Sequence, residues 1–311
     1  MNNFLNISDI DGVSELINEA ILLKKDPFQF CAIGKHKTLV MLFFNASLRT
    51  RLSTEKAAKN LGMEVMILNL GDSWNLEFED GVIMNVAKAE HIKEAANVIS
   101  QYADIIAVRS FAGLVDKDKD ASELVLNGFL KYATVPIVNM ESAIAHPLQA
   151  LADAITIEEL KMKKKPKVVL SWAPHPKALP HAVANSFISM MRSRDVELLI
   201  THPEGYELNP EITKDTRICF SQEEALVDAD FVYVKNWSNY NDYGKILSND
   251  SNWMMTESKL GDAKFMHCLP LRRNVVVEDE VLDGENSLVI HQANNRTFAA
   301  QIVLKKILEN L

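Results

Sequence analysis

The chain has 311 residues, of which 48 % are hydrophobic, and its formal net charge is −9. That length suggests about two domains of roughly 150 residues, each able to bury a core. The acidic balance argues against nucleic acid and against an anionic membrane surface as partners, so an anionic ligand would have to be drawn in by a local basic cleft. Three cysteines, Cys31, Cys219 and Cys268, are too few and too scattered for a disulfide framework or a zinc site and fit a reducing compartment. Met1 to Leu5 shows neither a basic n-region nor an apolar h-region, and no apolar run approaches the ~20 residues of a membrane span. A soluble cytoplasmic protein is the expectation.

Taken in chain order, strands and helices alternate, which predicts α/β architecture with doubly wound parallel sheets. Thr38 to Phe44 is apolar almost throughout and reads as a buried parallel strand. From Thr50 onward, Leu52, Ala57, Ala58 and Leu61 fit helical spacing, with Gly62 as the stop. Val65 to Leu68 is a second short strand, and Gly71 to Leu76 a polar loop carrying Trp74. A helix follows over Ile92 to Tyr102, then strands over Asp104 to Arg109 and Pro136 to Met140, the second ending at Glu141. Leu148 to Leu160 reads as a helix and Lys161 to Lys167 as a solvated basic turn leading into a new domain. The pattern then restarts: strands over Val168 to Ala173, Glu197 to His202, Asp230 to Lys235 and Ala263 to His267, with a helix over about Pro180 to Met191. Arg296 to Leu311 has apolar residues at i, i+3, i+4 spacing and predicts a packed amphipathic helix.

Between the first strand and its helix lie Ser47, Leu48, Arg49, Thr50 and Arg51. Backbone N–H groups at a helix start lack internal partners and carry the positive end of the dipole, and hydroxyls and forked guanidinium groups add donors. This is a site for a small, highly charged anion; the plainer alternative is a capped helix with two solvated arginines. Other charged and polar residues also fall at strand ends, where ligands of open α/β sheets sit: Arg109, Glu141 with His146, His175, Lys235, and His267 with Cys268.

Ser-x-Arg-Thr-Arg after a strand, His146-Pro147-Leu148-Gln149, and His267-Cys268-Leu269-Pro270 appear in the order and at the spacing of the carbamoyltransferase (transcarbamylase) family, and the chain resembles it over nearly its whole length. The resemblance implies two doubly wound parallel-sheet domains with the active site in the interdomain cleft. It places a carbamoyl phosphate-binding domain over 1–147, with the helix of about 296–311 packing back on it, and an acylornithine-binding domain over 148–295. It further implies a homotrimer with shared active sites, and direct transfer of the carbamoyl group without metal or organic cofactor. Ser47, Leu48, Arg49 and Thr50 match the family's grip on phosphate. Arg109, His146, Gln149 and Arg296 match contacts to phosphate and carbamoyl oxygen, with Pro147 and Leu148 between them. Cys268 and Leu269 match the backbone carbonyls offered to the carbamoyl NH2. Arg49, Arg109, His146 and Arg296 are the catalytic candidates, because donors placed beforehand lower the barrier as the carbonyl oxygen becomes oxyanion-like. Trp74 lies where family members send a residue into the neighbouring subunit's site. Taken alone, Trp74 would be a local packing anchor, His146 a satisfied structural histidine and Arg296 a surface residue at a helix start.

The second-substrate motifs of ornithine and aspartate transcarbamylases are missing. Instead, Trp172 to Pro176, Val234 to Trp237 and Leu269 to Asn274 resemble the N-acylornithine transcarbamylases. An acylated ornithine has no α-ammonium but keeps a carboxylate, which suits Lys235 and Arg272; Glu141 and His175 would be the remaining polar contacts. Acetyl-specific members carry a glutamate just before a Glu-His pair. Here the pair is Glu90-His91 and Ala89 precedes it, which leaves room and removes a charge that would repel a succinyl carboxylate. Ala89 therefore favours N-succinyl-L-ornithine; were Glu90 in that place, the N-acetyl compound would be favoured. The alternatives are an N-acetyl-L-ornithine enzyme and a carbamoyl phosphate-binding protein that has lost transfer.

Overall fold

The computed structural model describes residues 1–70, 74–85 and 87–311. The chain divides into two compact units, residues 1–148 with 296–311, and residues 149–295. Each has its own parallel sheet. Of the loop expected from Gly71 to Leu76, residues 71–73 lie outside the described residues.

The first unit contains β1 Thr38–Phe43, β2 Glu64–Asn69, β3 Leu76–Glu77, β4 Glu90–His91, β5 Ile105–Arg109 and β6 Ile137–Glu141. Its main sheet runs in the order β2-β1-β5-β6, and all pairings are parallel. The near-continuous apolar run of β1 is explained by its central place: it is flanked by β2 and β5 and buried from Leu39 to Phe43. Each such fully buried side chain contributes about 1.5–3 kcal/mol. β2 looks equally apolar in sequence but is an edge strand, and leaves Met66 and Leu68 exposed. β3 and β4 form a separate two-stranded parallel ribbon that the sequence does not announce; two residues per strand give no periodicity to read. The helix Arg49–Asn60 is followed by Leu61 as its cap and then by Gly62, whose φ is 83°. A Cβ there would come within 2.0 Å of the Cys31 carbonyl oxygen, so only glycine makes this exit.

The second unit contains β7 Lys167–Ser171, β8 Glu197–Thr201, β9 Arg217–Cys219, β10 Phe231–Val234 and β11 Lys264–Met266. They form a five-stranded parallel sheet in the order β11-β10-β7-β8-β9. The edge strand β9 is three residues long, too short to stand out in the sequence pattern. Trp172 and Trp237, from the segments that resemble the N-acylornithine transcarbamylases, are fully buried. The Trp172 indole donates to the Trp237 carbonyl at 3.2 Å, and the Trp237 indole to the Tyr206 carbonyl at 2.8 Å. They brace the loops that leave the strands.

Both unit boundaries fall inside helices, Pro147–Leu160 and Val289–Leu308, so the basic turn after Leu160 lies within the second unit and does not open it. The last helix begins at Val289, two turns before the expected Arg296. Its first turns are held by polar burial, which an apolar pattern cannot reveal. Gln292 and Asn295 are buried, and Asn295 Nδ2 donates to Thr156 Oγ1 at 3.0 Å and to Glu159 Oε2 at 2.8 Å. Among the described residues, no helix is long and apolar enough to cross a membrane.

Candidate active site

In the first unit the site residues leave the carboxyl ends of three adjacent strands. Phe43 of β1 pairs with Arg109 of β5, and Arg109 with Glu141 of β6 across a register shift. Arg109 is 4 % exposed. Its Nη1 donates to the carbonyls of Asn45 and Ala46 at 2.8 and 2.9 Å, and its Nη2 lies 3.1 Å from Glu141 Oε2. The guanidinium stacks 4.0 Å over the Phe111 ring. Its buried Nε has no hydrogen-bond partner. Burial pulls the Arg109 pKa below its ordinary value; Glu141 opposes this, and the nearby Arg49 cation adds to it.

Arg49 opens the helix Arg49–Asn60, where the Thr50 N–H donates to Ser47 Oγ at 3.3 Å. Leu48 and Arg51 are exposed, whereas Arg49 and Ser47 are half-buried and Thr50 is buried, so Arg49 and not Arg51 belongs to the cluster. Arg296 reaches the same helix start, with Nη2 donating to Thr50 Oγ1 at 2.7 Å. It is buried in mid-helix, which excludes the surface reading. His146, also buried, places Nε2 3.4 Å from Glu141 Oε2 and precedes Pro147, the first residue of its helix, and the buried Leu148. One carboxylate thus ties Arg109 to His146, Arg296 reaches Thr50, and the charge of Arg49 is felt at Arg109. Glu141, expected among the acylornithine contacts, lies beside Arg109 and His146 in this cluster.

Trp74, 47 % exposed, donates through Nε1 to Glu90 Oε2 at 2.9 Å. The Ala89 N–H donates to the Asn75 carbonyl at 2.8 Å, so Trp74, Ala89 and Glu90 form one surface cluster on the β3–β4 ribbon, with Ala89 exposed.

The site residues of the second unit leave the ends of β7, β10 and β11, again adjacent. His175 is half-buried, and its Nδ1 faces the Lys177 backbone. Burial first, and then the charges of Lys235 and Arg272, lower its pKa, so these three residues share one electrostatic neighbourhood. Lys235 is 8 % exposed and has no carboxylate partner among the described residues, while Arg272 is exposed. Cys268 is buried, and Leu269 holds a left-handed φ of 54° and donates its N–H to His267 Nδ1 at 2.8 Å. Such a backbone is strained for a branched residue and re-aims the carbonyls of this turn. Gln149 is 1 % exposed and donates from Nε2 to Asp153 Oδ1 at 2.7 Å. Asp153, Gln292 and Tyr233 escape a reading of the sequence; the signal available is an Asp one helical turn after Gln149.

A four-stranded parallel sheet with arginines gathered at its strand ends, and a five-stranded one carrying Lys235 and the His267–Leu269 turn, define a class: a two-domain α/β enzyme for small anionic substrates. The family model for the aspartate/ornithine carbamoyltransferase carbamoyl-P binding domain matches residues 2–159, and that for the Asp/Orn binding domain matches residues 180–307. The chain is 48 % identical to an N-succinylornithine carbamoyltransferase of Bacteroides fragilis, with 100 % of both chains covered. It is 37 % identical to an N-acetylornithine carbamoyltransferase of Xylella fastidiosa, with 98 % of each covered. Among solved structures, it superposes with a TM-score of 0.93 on a glutamate-to-alanine mutant of N-acetyl-L-ornithine transcarbamylase complexed with carbamyl phosphate and N-succinyl-L-norvaline; identity is 32 %, covering 99 % of this chain and 100 % of that one. The chain belongs to the aspartate/ornithine carbamoyltransferase family.

Proposed function

We propose that the enzyme transfers the carbamoyl group of carbamoyl phosphate to the δ-amine of N-succinyl-L-ornithine, giving N-succinyl-L-citrulline and phosphate, as a step of arginine biosynthesis. The observation that carries this reading is the 48 % identity, over the full length, to proteins of that name, against 37 % to an N-acetylornithine enzyme. Ala89 supports it, since the solved glutamate-to-alanine mutant of an acetylornithine transcarbamylase was captured with a succinylated ligand.

In this reading Ser47, Leu48, Arg49 and Thr50 bind the phosphate. Arg109, His146 and Arg296 direct donors at the phosphate and at the carbamoyl oxygen, whose negative charge grows as the amine attacks. Gln149 was expected to meet phosphate and carbamoyl oxygen, but its NH2 donates to Asp153, so in this reading it takes the carbamoyl NH2 as an acceptor, beside the carbonyls of Cys268 and Leu269. Lys235, with Arg272 and His175, receives the acylornithine carboxylates, which supply the counter-ion that a buried ammonium needs. The rate comes from positioning and charge stabilisation.

The apolar edge supports assembly as a homotrimer. Leu68, Leu70, Trp74, Leu76, Val98 and Ile99 line a groove of about 330 Å³ beside the exposed edge of β2, a surface of the kind that subunits cover. Trp74 would then serve the neighbouring subunit's site, and sedimentation analysis checks the trimer.

The decisive assay offers carbamoyl phosphate with N-succinyl-L-ornithine, N-acetyl-L-ornithine and L-ornithine side by side. The succinyl compound should react with the highest kcat/KM, and Ala89→Glu should shift preference toward acetyl by roughly tenfold to a hundredfold, the effect of one opposed charge. Preference of the unmodified enzyme for acetyl would move the specificity role to Glu90. Binding of carbamoyl phosphate without transfer to any ornithine would leave only a binding protein.

A further inference from the structure

Asp153 is a carboxylate with 0 % exposure, one turn after Gln149 on the helix Pro147–Leu160. Its Oδ1 accepts hydrogen bonds from two side-chain amides, Gln149 Nε2 at 2.7 Å and Gln292 Nε2 at 2.6 Å. Gln292 then uses its Oε1 to accept the backbone N–H of His267 at 3.0 Å, immediately before Cys268 and Leu269. The phenol of Tyr233, fully buried nearby, has its pKa pushed up by burial and by the neighbouring Asp153 and Cys268. A carboxylate with no exposure is tolerated only where hydrogen bonds replace its lost hydration, as the two amides do here.

The two ends of a glutamine amide have almost the same shape, and the partners decide which end points where. A carboxylate offers only acceptors. Two glutamines that meet at one carboxylate oxygen must both turn their NH2 ends to it, which turns the carbonyl ends away. For Gln292 that end meets the His267 N–H. For Gln149 it is directed to the other side of the amide, as an acceptor.

We propose that Asp153 is a positioning residue for recognition of the carbamoyl NH2 group: it holds Gln149 with its carbonyl oxygen presented to that group and, through Gln292, sets the His267–Leu269 turn whose carbonyls accept from the same nitrogen. The proposal rests on the reading of carbamoyl phosphate as substrate and explains a selectivity beyond it. Acetyl phosphate has a methyl group where carbamoyl phosphate has NH2, with nearly the same shape and phosphate. A pocket of acceptors separates the two; a pocket in which Gln149 has flipped would not.

The test measures dissociation constants of carbamoyl phosphate, acetyl phosphate and inorganic phosphate for the full-length enzyme and two variants. In Asp153→Leu the oxygen that both glutamine NH2 groups meet is gone, and neither amide has its ends fixed. Carbamoyl phosphate should then bind about tenfold to a hundredfold more weakly, as expected for a buried donor left unmatched. Acetyl phosphate and inorganic phosphate should change by less than about threefold, because their contacts do not pass through the amide. Asp153→Asn is isosteric and keeps one oxygen, which at the Oδ1 position still accepts from both amides. It should retain most of the selectivity. Equal weakening of all three ligands, unchanged selectivity in D153L, or a folded D153N as unselective as D153L would overturn the proposal; if D153L does not fold, the smaller Asp153→Ala takes its place. A wild-type enzyme that binds carbamoyl phosphate no better than acetyl phosphate would instead contradict the substrate reading itself.

Discussion

Arg109 in the first unit and Lys235 in the second are buried to a similar degree, 4 % and 8 % exposed, yet they are treated in opposite ways. Arg109 is held by two backbone carbonyls, the Glu141 carboxylate and the Phe111 ring. Lys235 has no carboxylate partner among the described residues, and the charges that share its surroundings, His175 and Arg272, are cations or potential cations. A buried charge without a counter-ion costs several kcal/mol, so Lys235 is retained for something other than folding. On the proposed assignment the difference marks two designs for recognising anions. One would be a donor array fixed before any substrate arrives; the other, a charge whose partner comes with the substrate.

The contrast predicts opposite stability effects. Arg109→Met should have the largest effect: kcat/KM for carbamoyl phosphate falls by roughly 10²–10³-fold, as for loss of a preorganised donor. It should also destabilise the protein by about 3–5 kcal/mol in urea unfolding, because Glu141 stays buried with its cation gone. Lys235→Met should raise the KM for the acylornithine by about two orders of magnitude, as when one member of a buried charge pair is removed. It should leave stability equal or higher by about 1 kcal/mol, since an uncompensated buried cation is lost. If both variants lose the same stability, the contrast is broken.

The smallest effect sharpens the picture of the second unit. His202 is 1 % exposed, and burial lowers its pKa from 6.5, opposed by its contact with the Pro203 carbonyl; His175 is lowered as well. Below pH 6.5 the unfolded chain therefore binds more protons than the folded one, and stability falls with pH through that region. Melting at about pH 5.5 should come a few degrees below melting at about pH 7.5. His202→Asn should reduce that difference; an undiminished difference would assign it to other groups.

Much of the fold was legible from one dimension. The runs Thr38–Phe43 and Lys167–Ser171 are apolar because they lie at the centres of parallel sheets, and the alternation of strands and helices points to the class. The candidate anion segment was legible too, because Ser47 to Thr50 is contiguous and sits at a helix start. The ribbon of Leu76–Glu77 with Glu90–His91 was not, being too short for a period. Neither were the first turns of Val289–Leu308, where Gln292 and Asn295 are buried by hydrogen bonds.

The sequence by itself determined the residue types and their local settings: the strand ends, the helix start at Arg49, the His146 to Gln149 motif, and Ala89 before the Glu-His pair. Local settings follow from propensity and periodicity, which act over a few residues. Only the tertiary structure decided the partnerships. Arg296 meets Thr50 across 246 residues, Gln292 meets Asp153 across 139, and Lys235 is buried with no carboxylate partner among the described residues. These depend on which strand lies beside which and on which polar groups must be satisfied once water is excluded, and neither is set within a stretch of chain.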